Sequence, residues 1–414
     1  MSSIQKIKGF ADMFPDDARA FTRMEDAART IFGRYGFGEL RIPVLERTEL
    51  FAKGIGEDTD VVGKEMYTFT DRGDRSLTMR PEATAGALRA CIEAGVLEPG
   101  KASRYFAFGP MFRYERPQKG RMRQFHQIDA ELLGSAEPQA DVEVILMLRD
   151  YLAELGIGEL CFELNSLGCR ECRPVYRAAL TAYFEALDTE KLCEDCKRRM
   201  HTNPLRVLDC KVPNCKALVA DAPAIGDHLC GGCRDHFSTV LSLVDSAGLQ
   251  YTLNPRLVRG LDYYQRTTFE VTSGAIGSQT AVAGGGRYDG LVSLLGGPDA
   301  PGVGFACGME RLAMIMEKQE APRPEFYLAV TDTREGSGAL SAALLLAHKL
   351  RLRGMSGECD YTAGSMKSRL RHAGRLRARK CYILGAEEFD AGKVTIKDMD
   401  EGEQIQIAIS AFDF

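Results

Sequence analysis

Apolar residues recur at two spacings along this chain, and the switches between them outline its elements. Phe21, Met24, Ala28, Ile31, Phe32 and Tyr35 fall three or four apart behind Asp16 and Asp17, which predicts an amphipathic helix ended by Gly36. Residues 37–46 are strand-like, but Pro43 within them points to an edge or an interface. Residues 65–70 and 76–80 read as short strands about a turn. Pro81 then suits the first position of a helix containing Glu82, Ala83, Thr84 and Leu88. Beyond these, 105–111 predicts a strand, 141–155 a helix and 156–164 a strand.

The stretch 112–131, FRYERPQKGRMRQFHQIDAE, is dense in arginine and broken by Pro117 and Gly120, as expected for a strand, a turn and a returning strand. Alternation in the returning strand sets Arg121, Arg123, Phe125, Gln127, Asp129 and Glu131 on one face, with Arg113 and Glu115 approaching from the strand before. That face runs from cationic to aromatic to amide to carboxylate. It matches a nucleotide followed by an amine-bearing small molecule; a charged surface hairpin is the plain alternative. Further on, LVRGLDYY at 257–264 carries a lone arginine, Arg259, among apolar residues and ends in Tyr263 and Tyr264. AGGGRYDGL at 283–291 supplies glycines that permit close backbone approach, without the spacing of a phosphate loop or a dinucleotide fold. Residues 302–312 form a glycine-punctuated strand entering a helix, with Arg311 near its start. After a proline-containing linker at 321–324, strands and helices alternate to the C-terminus, which predicts a small α/β unit. A basic helix at 366–379 in that unit reads either as a solvated face or as an RNA-facing one.

Composition narrows the classes. A chain of 414 residues allows two or three domains, and a net charge of -5 argues against binding nucleic acid by bulk electrostatics, though not against a local basic surface. The sequence has no secretory signal pattern and no membrane-length apolar run, so a cytoplasmic chain with reduced thiols is expected. Eight of its 13 cysteines fall within 169–233 as four close pairs: Cys169 and Cys172, Cys193 and Cys196, Cys210 and Cys215, Cys230 and Cys233. Spacings of C-x2-C and C-x4-C let two thiolates reach one metal, so two structural zinc sites of four thiolates each are expected. Pairs neighbouring along the chain or interleaved pairs fit equally well. Lys197, Arg198, Arg199 and Lys211 would offset the thiolate charge. Reduced cysteines in a helical insertion are the metal-free alternative.

Taken together, these stretches resemble the class II aminoacyl-tRNA synthetases, and specifically the histidyl-tRNA synthetase family, over nearly the whole chain. Residues 36–46, 112–131 and 302–312 match the three class motifs, while LVRGLDYY and AGGGRYDGL match the signatures of the histidine enzymes. The resemblance implies an α+β fold: an antiparallel-sheet catalytic domain (1–165 and 250–322), a cysteine-rich helical insertion (166–249) and an anticodon-binding α/β domain (326–414). It implies a homodimer that activates histidine with magnesium-bound ATP to histidyl-adenylate, releasing pyrophosphate, and passes the histidyl group to tRNA-His. By the family's pattern, Arg259 and Arg113 are catalytic. Glu82, Ala83, Thr84, Gln127, Glu131, Tyr263 and Tyr264, with Arg113 and Arg259, would hold histidine. Arg113, Glu115, Arg121, Arg123, Phe125 and Arg311 would hold ATP, with Phe125 and Arg311 about the adenine. Loss of metal from the insertion is expected to loosen it and leave histidine activation largely intact. Two other readings stand beside this one: a synthetase-like regulatory subunit, which lacks the C-terminal domain, and a zinc-dependent RNA-binding module, which leaves the three motifs unexplained.

Overall fold

The computed structural model describes residues 4–56, 59–210, 212–276 and 281–412; Lys211 lies outside them. The chain divides into two compact units, Met1–Lys318 and Gln319–Phe414. In chain order the strands of the first are β1 (Gly38–Glu39), β2 (Leu45–Arg47), β3 (Tyr67–Thr70), β4 (Ser76–Met79), β5 (Ser103–Phe112), β6 (Gln124–Leu133), β7 (Leu160–Ser166), β8 (Tyr251–Leu253), β9 (Gln265–Ser273), β10 (Ala281–Arg287) and β11 (Gly302–Gly308). Eight of them make the main sheet, in the order β1-β5-β6-β11-β10-β9-β7-β8. Its centre is antiparallel, and the parallel pairings lie at its two edges. β2, β4 and β3 form a separate small sheet.

Pleating divides the main sheet into a core face and a site face. Ile128, Ala130 and Leu132 of β6 and Val303 and Phe305 of β11 pack with Met24, Ile31, Phe32, Ile145 and Leu148 in one apolar cluster. The last five belong to the helices Pro15–Arg34 and Pro138–Glu154. Both helices begin with proline, which suits a first turn whose N–H groups lack intrahelical partners. Phe32 is fully buried, and truncating it to alanine would cost about 3–5 kcal/mol in lost contacts and cavity. The alternate residues, Asp129 and Glu131, point the other way and are equally buried.

The described residues of 167–249 fold largely as helices, among them Cys172–Glu185, Glu194–Thr202 and Gly231–Ser246. They have their own apolar core, including Tyr176, Leu180, Phe184, Val207 and Ile225.

The second unit holds β12 (Phe326–Val330), β13 (Gly357–Cys359), β14 (Lys380–Leu384), β15 (Lys393–Asp398) and β16 (Gln404–Ala408) in a mixed sheet, order β13-β12-β14-β15-β16. Phe326, Leu328 and Val330 face the helix Ala339–Leu352. Tyr327 and Ala329 face Ala373 of the helix Met366–Leu376, so β12 is covered on both sides. The unit begins earlier than the proline linker implies. Arg323 donates to the Arg377 carbonyl at 2.8 Å and pairs with Asp400, which ties the linker into the unit. The whole chain is an α+β protein.

Candidate active site

Glu131 is buried on the site face among the polar side chains of Glu82, Thr84 and Asp129. It accepts from the Thr84 hydroxyl at 2.6 Å and from the Tyr288 hydroxyl. Burial pushes its carboxyl up to about 8, and those two hydrogen bonds offset only part of the rise. Burial also lifts Asp129 well above the ordinary carboxylate range, and Glu131 and Glu82 add to the rise. Glu82 is raised by burial as well, although the Thr84 and Ala85 N–H groups donate to it at 2.9 Å each and Arg113 favours its charged form. These bonds explain a shifted helix start. The helix runs Thr84–Glu93 rather than from Pro81, because Glu82 sits outside it and caps its first turn. Gln127 Oε1 and Asp129 Oδ2 are buried with no hydrogen-bond partner among the described residues. Such atoms suit a ligand's donors, because polar atoms left unpaired in a protein interior are costly.

Tyr263 and Tyr264 adjoin this cluster, their ring centroids 4.6 Å apart, with Tyr288 5.8 Å from Tyr263. Burial raises the Tyr264 hydroxyl to about 12, so it remains a neutral donor and acceptor at physiological pH. Arg259 is ion-paired with Glu270, and its guanidinium lies 5.9 Å from the Tyr264 ring centroid. Burial acts most strongly and lowers the Arg259 pKa, but Glu270, Tyr264, Tyr263 and Asp209 together leave it raised. The glycine run explains how such bulk fits. A Cβ on Gly284 would lie 2.3 Å from Arg259 Nη1, and one on Gly304 would lie 1.9 Å from Glu131 Oε2. Gly304 is the direct cross-strand neighbour of Glu131. The glycines therefore admit the protein's own functional side chains.

The cationic end of the site departs from simple alternation. β6 begins at Gln124, so Phe125, Gln127, Asp129 and Glu131 share its face while Arg121 and Arg123 lie in the preceding turn. Arg121 pairs with Glu115 at 2.5 Å. Arg123 lies over the Tyr114 ring, 3.8 Å from its centroid, and donates to the Glu115 carbonyl. Arg113 is the cation over Phe125, at 5.3 Å, and it donates to the Pro81 carbonyl. Arg311 donates to the carbonyls of Gly120 and Ala281, at 3.0 and 2.6 Å, and so anchors that turn. Ala83 is buried at the helix N-cap between Glu82 and Thr84.

Four residues of the site carry no individual role in the sequence reading. Tyr288 lies inside a motif and Glu270 inside a strand; alternation of Glu270 against Phe269 and Val271 is the available signal. Arg80 reads as a strand end. It is buried and donates to the carbonyls of Ile42 and Pro110, joining the Pro43 stretch to β5. Arg287 is fully buried. It meets Asp141 through two nitrogens and donates to the carbonyls of Ser135 and Glu137. Asp141 also accepts from Thr267 and bonds His236 at 2.6 Å, so one carboxylate clasps three segments.

The cysteines gather as two quartets, Cys169, Cys172, Cys230 and Cys233, and Cys193, Cys196, Cys210 and Cys215, each with all sulfurs within 4.8 Å of one another. The pairing is nested, first pair with fourth and second with third. It is neither neighbour-with-neighbour nor alternating, because the helices between the inner pairs fold back on themselves.

The family model described as "Histidyl-tRNA synthetase" matches residues 9–312, and one described as "Anticodon binding domain" matches 329–413. A histidine–tRNA ligase of Maridesulfovibrio salexigens is 64% identical over 403 residues, covering 97% of each chain. One of Nitratidesulfovibrio vulgaris is 62% identical over 411 residues, covering 99% of this chain and 98% of the other. Among solved structures, apo histidyl-tRNA synthetase of S. aureus superposes with a TM-score of 0.79 at 33% identity, over 99% of this chain and 98% of that one.

Proposed function

The chain belongs to the histidyl-tRNA synthetase family and acts as a histidine–tRNA ligase, and from this we propose the roles of its residues. Histidine lies with its imidazole between Glu131 and Tyr264, beside Tyr263 and Tyr288. A ring with a donor on one edge and an acceptor on the other needs partners at both. A carboxyl and a phenol supply them, and such a pocket rejects isosteres lacking either group by about 10⁴-fold. Glu82, Thr84 and Gln127 receive the α-amino group. The observation that carries this reading is the buried carboxyl of Glu131, held by the hydroxyls of Thr84 and Tyr288.

ATP enters as its magnesium complex. A carboxylate oxygen of histidine attacks the α-phosphorus in line, and pyrophosphate leaves. Arg113 and Arg259 stabilise the charge that builds on the α-phosphate oxygens. Phe125 stacks on the adenine, with Arg311 holding the turn that covers it; Arg121 and Arg123 turn toward the outer phosphates, and Glu115 meets the adenine amino group. In the second step a 3′-terminal ribose hydroxyl of tRNA-His attacks the histidyl carbonyl, and AMP departs.

We further propose a cytoplasmic homodimer that meets across the exposed stretch about Pro43. The domain division is the catalytic domain at 1–165 and 250–322, the insertion at 166–249 and the anticodon reader at 326–414. Lys367, Arg371 and Arg375 are exposed on one helix of that reader and suit an RNA backbone. Zinc is the proposed occupant of both cysteine quartets. Replacing Tyr264 by phenylalanine tests the imidazole assignment, because it removes one hydroxyl and no bulk. A rise of about tenfold or more in the KM for histidine, with the KM for ATP held, is expected. An unaltered KM for histidine contradicts the assignment.

A further inference from the structure

The eight thiols take no part in adenylate chemistry, yet the residues beside them reach the site. Four thiolates about one zinc at about 2.3 Å in a tetrahedron lie about 3.8 Å apart. The Cys169 sulfur is 3.7 Å from that of Cys172 and 3.8 Å from that of Cys230, and those of Cys193 and Cys210 are 3.8 Å apart. A disulfide holds its sulfurs at about 2.05 Å, so these are separate sulfurs at a spacing that a zinc tetrahedron fits. The Cys230 and Cys193 N–H groups donate to the sulfurs of Cys172 and Cys215, at 3.1 and 3.2 Å, so in each quartet one pair is also tied to the backbone of its partner pair.

Nesting gives the two quartets different positions. The outer one clamps the module where it leaves β7, and Arg173 follows Cys172 directly. Arg173 donates to the carbonyls of Asp262 and Tyr264. The inner one closes the segment 196–210, which carries Asn203 and Arg206. Arg206 donates to the carbonyls of Arg259 and Gly260, at 2.9 and 2.6 Å, and Asn203 donates to the Asp262 carboxylate. Residues 259–264 belong to no helix or strand of their own. Four of their six backbone carbonyls, those of Arg259, Gly260, Asp262 and Tyr264, therefore accept from the cysteine module, and those bonds hold the backbone from which Arg259, Tyr263 and Tyr264 project.

We infer that the quartets are zinc knuckles that hold Arg173, Asn203 and Arg206 as positioning residues on the 259–264 loop, so that metal occupancy governs histidine affinity. This rests on the assignment of that loop to histidine, and it reverses the expectation that metal loss leaves histidine activation intact. The module has an apolar core around the quartets, including Tyr176, Leu180 and Phe184, so the effect is expected to reach the loop through these few bonds.

The test uses the full-length enzyme in histidine-dependent ATP–pyrophosphate exchange, with zinc measured on the same protein. Wild type is assayed as purified, after chelation under reducing conditions, and after addition of Zn²⁺ alone, with circular dichroism as a fold control. Close to two zinc ions per chain are expected. Chelation should raise the KM for histidine about tenfold or more, the equivalent of one charge-assisted hydrogen bond, with the KM for ATP within about twofold. Zn²⁺ should restore it. Arg173→Gln should show the raised KM with metal bound and gain little from chelation, while Arg173→Lys recovers part of the loss; Arg206→Gln serves should Arg173→Gln not fold. Full zinc with an unmoved histidine KM in the stripped and substituted proteins overturns the positioning role. Well under one zinc per chain overturns the metal. Absence of histidine-dependent exchange in untreated wild type removes the histidine assignment itself.

Discussion

Charge placement at single residues decides the proposed active site. Arg259 sits against a glycine floor with Glu270 as counter-ion, so its cation is fixed before the substrates arrive. Arg259→Ala should lower adenylate formation by about 10²–10³-fold, the loss of one preorganised stabiliser, while histidine binding changes far less. Single-turnover pyrophosphate release against equilibrium histidine binding separates the two. Glu131 makes a prediction in pH. Its carboxyl is raised to about 8 in the free folded enzyme from an ordinary 4.5. The folded state therefore keeps a proton that the unfolded chain has released. The stability linked to this group is fully present below about 4.5 and is lost as pH rises through about 8, by at most about 1.4 kcal/mol per pH unit. Glu131→Gln cannot titrate. Its melting temperature relative to wild type, without histidine, should rise from pH 5 to pH 8, and its KM for histidine should increase by about tenfold or more. A stability difference that is flat across this range contradicts the buried, protonated carboxyl.

Among the elements, the site depends on which face each strand turns inward. Gly304→Ala should abolish activity or folding, because a new Cβ would meet Glu131 Oε2 at 1.9 Å and the Ala130 carbonyl at 2.4 Å. Arg287 joins the end of β10 to the helix Pro138–Glu154 through Asp141. Arg287→Met strands a buried carboxylate and should cost about 3–5 kcal/mol in urea unfolding. A loss below about 1 kcal/mol would show that Asp141 finds its balance elsewhere. These elements also mark how far the sequence can be read. Strong period is legible: the first helix, β5, β6 and the strands of the C-terminal unit lie close to where apolar spacing puts them. Residues whose partners are distant in sequence are not. Arg287 meets Asp141 from 146 positions away, Tyr288 meets Glu131 from 157, and no local pattern encodes either pair. Alternation misplaces Arg121 and Arg123 because the turn before β6 does not follow it. The cysteine spacings mark the ligand pairs, but which pairs meet depends on how the helices between them return.

Over the full chain, the proposed function places activation in the first unit and tRNA recognition in the second. The second unit begins at Gln319, so a chain ended after Lys318 removes it whole. Such a chain should still exchange pyrophosphate with histidine but charge tRNA poorly; equal charging by the full and shortened chains contradicts the role of the second unit. Sedimentation at micromolar concentration should give a dimer, and a monomer contradicts the interface about Pro43. Every role assigned to these residues depends on the pocket activating histidine and no other amino acid. ATP–pyrophosphate exchange by the full-length enzyme with each of the twenty amino acids in turn decides that. Exchange with histidine alone, at least about 10³-fold above any other, is expected; no exchange with histidine, or equal exchange with another amino acid, contradicts it.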